Sequence, residues 1–530
     1  MKTIWNKAMV SALTGLFVLA AAGCGGGGDK EAARKEILKV GAPVFADNLD
    51  PVGNAAGWTV IRYGVGETLG KFDRNMQVIP WLAESWKPGS DKLTWTFTIN
   101  GNAKFSNGHK VTAEAVKSSF ERTLSRSAEA KNWSGIESMQ AEGQTLKIRT
   151  AKPVAGLPGV LCDPRFTVID TSVKDRDIMK LGPVCTGSYI VKSFLREKAV
   201  LEANPNYWDG PVPFKGLEIP AINDPEARAM ALQKGEVDVA ADISSGDLAL
   251  FKDSQNYCVS EISSLRSVLA RLNMRQGKPL SDKKIREALT ACLDRPGYCK
   301  VLLRDTFVPG GPALAPALGY GYEELIKLPA CQRDVEKSKK LLKEAGYKDT
   351  NGDGIVDKDG KNLVLDFAIY TNRAELPLFA EAVKSDARKV GIQINVKAAD
   401  YTAVEQLGKT GNWDMLISDS MTIRAGSPAH YLDMYWRSGH NGNKLQNSSG
   451  YSNPEYDALS DGLAMEPDPE KQKHTLIAMQ KILLEDTAAI VFGYPKTNII
   501  SRAEITGADI MPCDYYWITR DWKRKAVPKK

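Results

Sequence analysis

Histidine is scarce in this chain of 530 residues: there are four, His109, His430, His440 and His474, scattered along it. A Ser/His/Asp triad has little to draw on with so few, and no G-x-S-x-G elbow is present to present a nucleophile. No C-x-x-C pair occurs, so the spacing of a structural zinc site is missing as well. A P-loop is absent, and "GVGETLG" (Gly64 to Gly70) misses the dinucleotide-binding spacing by one residue. Lys and Arg exceed Asp and Glu by only six, and no basic run is interleaved with aromatics, which excludes a nucleic-acid footprint. Beyond the first residues no stretch approaches the 18 or so apolar residues of a spanning helix.

The start of the chain is a different matter. "MKTIWNKAMVSALTGLFVLAAAGCGGGG" opens with two lysines, continues as an uncharged, largely apolar run, and ends in small residues. That order predicts a secretory signal over residues 1–23, too short at its centre and wrongly flanked for a membrane span. "AAGC" resembles the lipobox of bacterial lipoproteins, although Ala21 stands where that motif prefers Leu. Cleavage before Cys24 would leave it N-terminal and ready for lipid, with residues 24–36, rich in glycine, as a flexible tether. The alternative is an ordinary signal peptide followed by a chance cysteine. Loss of Lys2 and Lys7 with the signal lowers the formal charge from +6 to +4. The expectation is an exported, membrane-anchored, otherwise soluble protein, periplasmic or on the cell surface.

What remains, about 500 residues, is too long for one hydrophobic core and predicts two or three lobes. Hydrophobic residues make up 43% and charged residues 25%, the balance of a globular protein. Of eight cysteines, Cys24 is set aside for lipid, so at least one of the other seven is unpaired. Cys162 and Cys185, or Cys292 and Cys299, could bridge in an oxidising compartment, but spacing does not assign pairs.

One acidic stretch invites a metal. In "DTNGDGIVDKDG", Asp349, Asn351 and Asp353 stand at positions 1, 3 and 5 of an EF-hand loop, with Asp357 at position 9. Position 12 should be a bidentate Glu and is Gly360. The helical run upstream is followed by a strand run, "KNLVLDFAIY", so the helix–loop–helix frame is missing. A turn-rich Asx/Gly hairpin explains the same residues without a metal; the alternative is a weak, structural Ca²⁺ site. No metal and no cofactor is expected.

From Ile37 the texture alternates between short β-branched or aromatic runs ("TWTFTI", "TLKIRT", "AVLEA", "GLEIPAI") and helical stretches ("TAEAVKSSFERTL", "DPEARAMALQKGE"). "RSVLARLNM" near Arg266 reads as a strand leaving a first lobe. The later pairing of "AELPLFAEAVKSDARKVG" with "IQINVKAAD" is the helix–strand succession of an α/β lobe. "AIVFGYP" could carry the chain back.

These blocks carry a resemblance. "VIPWLAESWKPGSDKLTWTFTINGNAKFSNGHKVTAEAVKSSFERTL" is similar to the signature region of the bacterial extracellular solute-binding family that serves peptide, opine and nickel ABC importers. The same order continues through "PVCTGSYIVKSF", "LEANPNYWDG", "ALQKGEVDVA", "LNMRQGKPLSDKKIREALTACLDR", "AGYKDTNGDGIVDKDGK" and "GYSNPEYDALSDGLA", covering nearly all of residues 37–510. Asn100 and Asn107 replace charged residues usual in the family, and Cys185 replaces a glycine. The resemblance implies a two-lobed, type II periplasmic-binding-protein-like α/β fold with an extra subdomain on lobe I. Lobe I would span 37–268 and lobe II 269–492, with 493–530 returning to lobe I as a C-terminal tail. Hinge strands would lie near 266–274 and 491–501. It implies a monomer that is not an enzyme, a small-molecule or peptide ligand, and ABC permease and ATPase subunits as partners. The remote alternative is a secreted hydrolase.

The resemblance also singles out ligand-binding candidates. Trp58, in "NAAGWTVIRYG", falls in an early loop that lines the cleft in this family; a packed or surface aromatic is the other reading. Trp133 and Arg165 match positions that nickel-chelate binders use against a carboxylate-bearing chelator, for which the planar Arg fork is suited. The plain reading of Arg165 is a salt bridge on a loop. Arg424 stands where peptide binders keep an Asp, about four residues before the matching Pro428, to hold the peptide's ammonium, and Asp419 is the only carboxylate close before it. His430 could reach a nickel chelate or be a surface or cap residue. The aromatic "CDYYWITRDW" could border the cleft or pack on lobe I. Together these imply a small peptide or a carboxylate-bearing chelate, nickel chelates included, with a lean to an anionic ligand. The alternative is plain di- or oligopeptide capture.

Overall fold

The computed structural model describes residues 36–525 apart from 45, 245, 372, 374, 424–425, 439–446 and 467. Cys24, Arg424 and His440 lie outside the described residues. Twelve strands form one continuous twisted sheet, and the β-branched and aromatic runs of the sequence are its members. On one side stand Ile37–Gly41, Gly216–Pro220, Lys198–Ala203, Tyr189–Phe194 and Val239–Ala241. On the other stand Arg266–Leu272, Met415–Met421, Val364–Tyr370 and Gln393–Ala399. The long strand Ala489–Arg502 belongs to both. Its second half pairs antiparallel with Tyr257–Ser263 and Val239–Ala241, its first half with Arg266–Leu272. "AIVFGYP" is thus the start of a strand of 14 residues rather than a short return.

Each side has its own core. Leu38, Val40, Leu201, Leu217, Val239 and Trp522 fill the first, and Val268, Leu289, Phe367, Phe379, Leu416 and Phe492 the second. An extra subdomain is inserted in the first. Its antiparallel sheet runs Ala83–Pro88, Thr94–Ile99, Thr145–Thr150, Ile136–Glu142, and it packs under the helix Ala113–Arg126 around Phe97, Phe120 and Ile148. The "TWTFTI" run alternates half-buried and buried side chains, as a strand with one core face should. Thr112 caps the helix by accepting from the Ala115 N–H.

The two lobes touch. A third cluster joins Ile61, Phe72, Cys162 and Tyr516 of the first to Leu269, Met421, Tyr431 and Tyr435 of the second. Gly159 and Gly426 face each other across this seam. A Cβ on Gly159 would lie 2.8 Å from the Gly426 carbonyl oxygen, and one on Gly426 1.8 Å from that of Gly159. The Ala155 N–H donates to the Ala464 carbonyl at 3.3 Å close by.

The acidic loop is built from its own hydrogen bonds. Asp349 accepts from the Gly352 and Gly354 N–H groups, Asp353 from that of Ile355, and Asp357 from Thr350. It joins the helix Val335–Glu344 to the strand Val364–Tyr370, the frame of an Asx/Gly turn and not of an EF-hand. All seven described cysteines are free, which corrects both disulfide possibilities. The reason is placement: Cys162 sits in the inter-lobe cluster and Cys185 in the lobe I core, while Cys292 and Cys299 turn to different carbonyls, Leu289 and Phe492.

Candidate functional site

A cavity of about 170 Å³ lies between the lobes, and each element that lines it is held by local structure. Trp58 comes from the first lobe. It stands in a helix, Asn54–Arg62, and not in a loop as its sequence suggested. The helix ends against the Pro164 turn because residue 57 is glycine: a Cβ there would be 2.7 Å from Pro51 O and 3.2 Å from Pro164. That approach brings Trp58 and Arg165 to one cavity. The Trp58 ring packs 5.5 Å from Tyr515, so the aromatic C-terminal stretch divides its work: Tyr515 borders the cavity while Trp517 and Trp522 sit in the lobe I core.

Arg165 sits in the short 3₁₀ turn Pro164–Phe166 that follows the N-cap Asp163. It is buried, with its guanidinium bonded to Asp163 at 3.1 Å and to Glu129 at 2.9 Å. Burial pushes the Asp163 carboxyl above its ordinary range, and Arg165 opposes this. The guanidinium carbon lies 4.7 Å from the Trp133 ring centre, a cation–π stack, so Arg165 is both a salt bridge and part of the lining. His430 arrives from lobe II, in the helix Pro428–Trp436, which starts on a proline at its first position. Its ring meets Trp133 edge-on at 5.4 Å. Three of the five ligand-binding candidates, Trp133, Arg165 and His430, are therefore one stack across the seam, and Trp58 lines the same cavity. The fifth, Arg424, falls outside the described residues.

Lobe II supplies side chains that were not among the ligand-binding candidates. Arg266, Tyr370, Ser418, Asp419, Ser420 and Met421 come from strand ends, Tyr401 and Glu405 from the helix Tyr401–Thr410, and Tyr435 from the helix of His430. Asp419 Oδ2 lies 2.6 Å from Arg373 Nε and 3.7 Å from Arg266 Nη1, and the Asp419 N–H donates to the Tyr370 hydroxyl. Glu405 accepts from Arg271 at 3.2 Å. The signals that could have found them are a carboxylate inside an apolar strand, "MLISDSM", and an arginine opening another, "RSVLARL". A larger cavity of about 430 Å³ lies on lobe I alone, above Glu67, Tyr207 and Trp517. Lobe movement cannot open or close it, so the inter-lobe cavity is the candidate site.

A two-lobed α/β protein with a polar cavity at its seam is built as solute-binding proteins are. The comparisons place it. Residues 77–443, more than half the chain, match the bacterial extracellular solute-binding proteins, family 5, and the chain belongs to that family. It is an extracytoplasmic binding protein, not an enzyme. It is 25% identical over 460 residues to the nickel-binding protein NikA of Staphylococcus aureus, covering 86% of this chain and 89% of that protein. The oligopeptide-binding protein AppA of Bacillus subtilis is 25% identical over 550 residues, with 98% of each chain covered. A solved nickel ABC transporter protein of Bacillus halodurans superposes with a TM-score of 0.77 at 25% identity, covering 92% of this chain and 99% of that one.

Proposed function

We propose that this protein is the lipid-anchored receptor of an ABC importer, working as a monomer with permease and ATPase partners. It captures a small carboxylate-bearing ligand, a chelate or a short peptide, between its lobes. The observation that carries the ligand class is the stack of His430, Trp133 and Arg165 across the seam. Trp133 and Arg165 of this stack line the cavity, with the His430 imidazole against the tryptophan ring, a set suited to a planar carboxylate and, were the imidazole to turn inward, to a chelated metal. The names of the nickel-binding relatives support the same reading. The cavity is close in volume to engineered cavities that hold benzene, which favours a small ligand over an extended peptide. Closure would turn on the passages from Tyr257–Ser263 to Arg266–Leu272 and through the middle of Ala489–Arg502, where a few residues absorb the motion.

Native mass spectrometry of protein purified from its own host weighs what co-purifies. Calorimetry with a nickel–histidine chelate, free Ni²⁺ and a mixed di- and tripeptide pool then separates the choices. Arg165→Ala should weaken the bound ligand tenfold to a hundredfold, about 1.5–3 kcal/mol. Tight binding of neutral peptides that ignores this change would overturn the carboxylate reading. Cys24→Ser should move the protein from the membrane to the soluble fraction, since one or two acyl chains are the only anchor proposed.

A further inference from the structure

We infer that the wall formed by Arg266, Trp58 and Asp419 holds an α-amino-acid head group, so that the ligand is a compact zwitterion with a free amino group. The inference rests on the inter-lobe cavity being the ligand site, as proposed above.

The argument is one of unmet hydrogen bonds. Arg266 is the first residue of its strand and turns its guanidinium into the cavity, over the Trp58 ring at 5.8 Å. Its one ion pair, to Asp419, is 3.7 Å long and therefore beyond hydrogen-bond range, and among the described residues its guanidinium makes no hydrogen bond. The Trp58 indole N–H beneath it is buried without a partner. Two donors thus converge on a place with no acceptor. Next to them the demand reverses. Asp419 spends Oδ2 on Arg373 and Arg266, while Oδ1 is buried and unpartnered, and so is the Ser418 hydroxyl. Both line the same cavity.

The charges agree. Arg165 is matched by Asp163 and Glu129, and Glu405 by Arg271. Asp419 faces two guanidiniums, but Arg373 also pairs with Glu375 at 3.9 Å, so Arg266 alone is left with nothing closer than its 3.7 Å contact, beside a carboxylate oxygen that still lacks a donor. A carboxylate on Arg266 and the Trp58 N–H would satisfy the two donors, and an amino group would satisfy Asp419 Oδ1 and Ser418. A bare anion would leave the acceptors unpaired and a bare amine the donors, and buried polar groups without partners weaken binding. A carboxylate and an amine on one carbon meet both demands within a volume of about 170 Å³.

The test uses the full chain carrying Cys24→Ser, so that it is soluble. Calorimetry with the common L-amino acids and their dipeptides identifies the strongest binder. Its N-acetyl and C-terminal amide derivatives are then titrated, each with and without Ni²⁺. Blocking either group should lower affinity at least tenfold in the wild type, without any need for Ni²⁺. Arg266→Ala should abolish the discrimination against the amide, and Asp419→Asn that against the N-acetyl form. Should either variant fail to fold, the derivatives on the wild-type protein decide the matter. Binding that tolerates N-acetylation overturns the inference and leaves the carboxylate reading standing. Binding of the nickel–histidine chelate alone does the same. Tight binding of neutral peptides, with none to any anionic probe, overturns both.

Discussion

Arg165 of lobe I lies with its guanidinium carbon 4.7 Å from the centre of the Trp133 ring, and the same ring receives His430 of lobe II on its edge. One tryptophan therefore serves as the plate between a cation and an imidazole from opposite lobes. Trp133→Ala should weaken ligand binding about 2- to 30-fold, the worth of roughly 0.5–2 kcal/mol for a cation–π contact. Trp133→Phe should fall between, because a smaller ring keeps part of the attraction. Calorimetry with the co-purified ligand decides it; an unaffected Trp133→Ala would remove the stack from the binding site.

The facing glycines make a second, independent statement about closure. Gly159 has an ordinary backbone, so Gly159→Ala adds no backbone strain, only a methyl 2.8 Å from the Gly426 oxygen. The unliganded protein should melt within a degree or two of the wild type. Its ligand should leave at least tenfold faster in stopped-flow displacement, and small-angle scattering should show less compaction on binding. Equal off-rates would mean that the seam yields without cost.

Glu67 sets a pH dependence. Its carboxylate accepts from Trp208 Nε1 at 2.8 Å and from the Tyr207 hydroxyl at 3.1 Å, yet complete burial pushes it up to about 7 from an ordinary 4.5. Burial likewise raises Asp433 to about 6. The folded protein holds protons that the unfolded chain has already released. Their contribution is complete below pH 4 to 4.5 and is lost as pH rises through 6 and 7. Glu67→Gln, which keeps a hydrogen-bonding group in place, should remove on the order of 3 kcal/mol of that loss between pH 4.5 and 8. Urea titrations at the two pH values measure it, and identical slopes for both proteins would refute the assignment.

The cysteines give a count that a colorimetric thiol reagent can read. Six of the seven described thiols are buried, and burial raises those of Cys292 and Cys299 to about 12; Cys258 is exposed. In the Cys24→Ser protein one thiol should react promptly and all seven only in denaturant. Two or more missing after reduction-free denaturation would indicate a disulfide.

Much of this was legible in the residues, and the part that was not has a physical reason. The strands announced themselves, "TWTFTI" by alternation and "LVLDFAIY" by an apolar run that only Asp366 interrupts and that is mostly buried. Trp133, Arg165 and His430 were marked by resemblance; 297 positions separate the first from the last (430 − 133), and the fold closes that gap. Arg266 and Asp419 were passed over because each sits in a run that reads as core. Only their convergence on one cavity gives them a role, and convergence is not a property of a run. Trp58 was read as a loop residue from the resemblance; the glycine before it, Gly57, permits a close helix approach rather than a turn. Arg424 and Cys24 stand as the sequence left them.

The strand Ala489–Arg502 has a last consequence. Because it completes the sheet of both lobes, neither lobe can shed it and keep its own edge covered. The halves that move in function are thus a single cooperative unit in folding. A ligand held at the seam, as proposed, would raise the free energy of opening for strands far from any contact with it. A binding protein that must survive outside the cytoplasm, with no disulfide among its described residues, would gain by this a protection that loading itself confers: the empty protein would be the vulnerable one, and the cargo its brace.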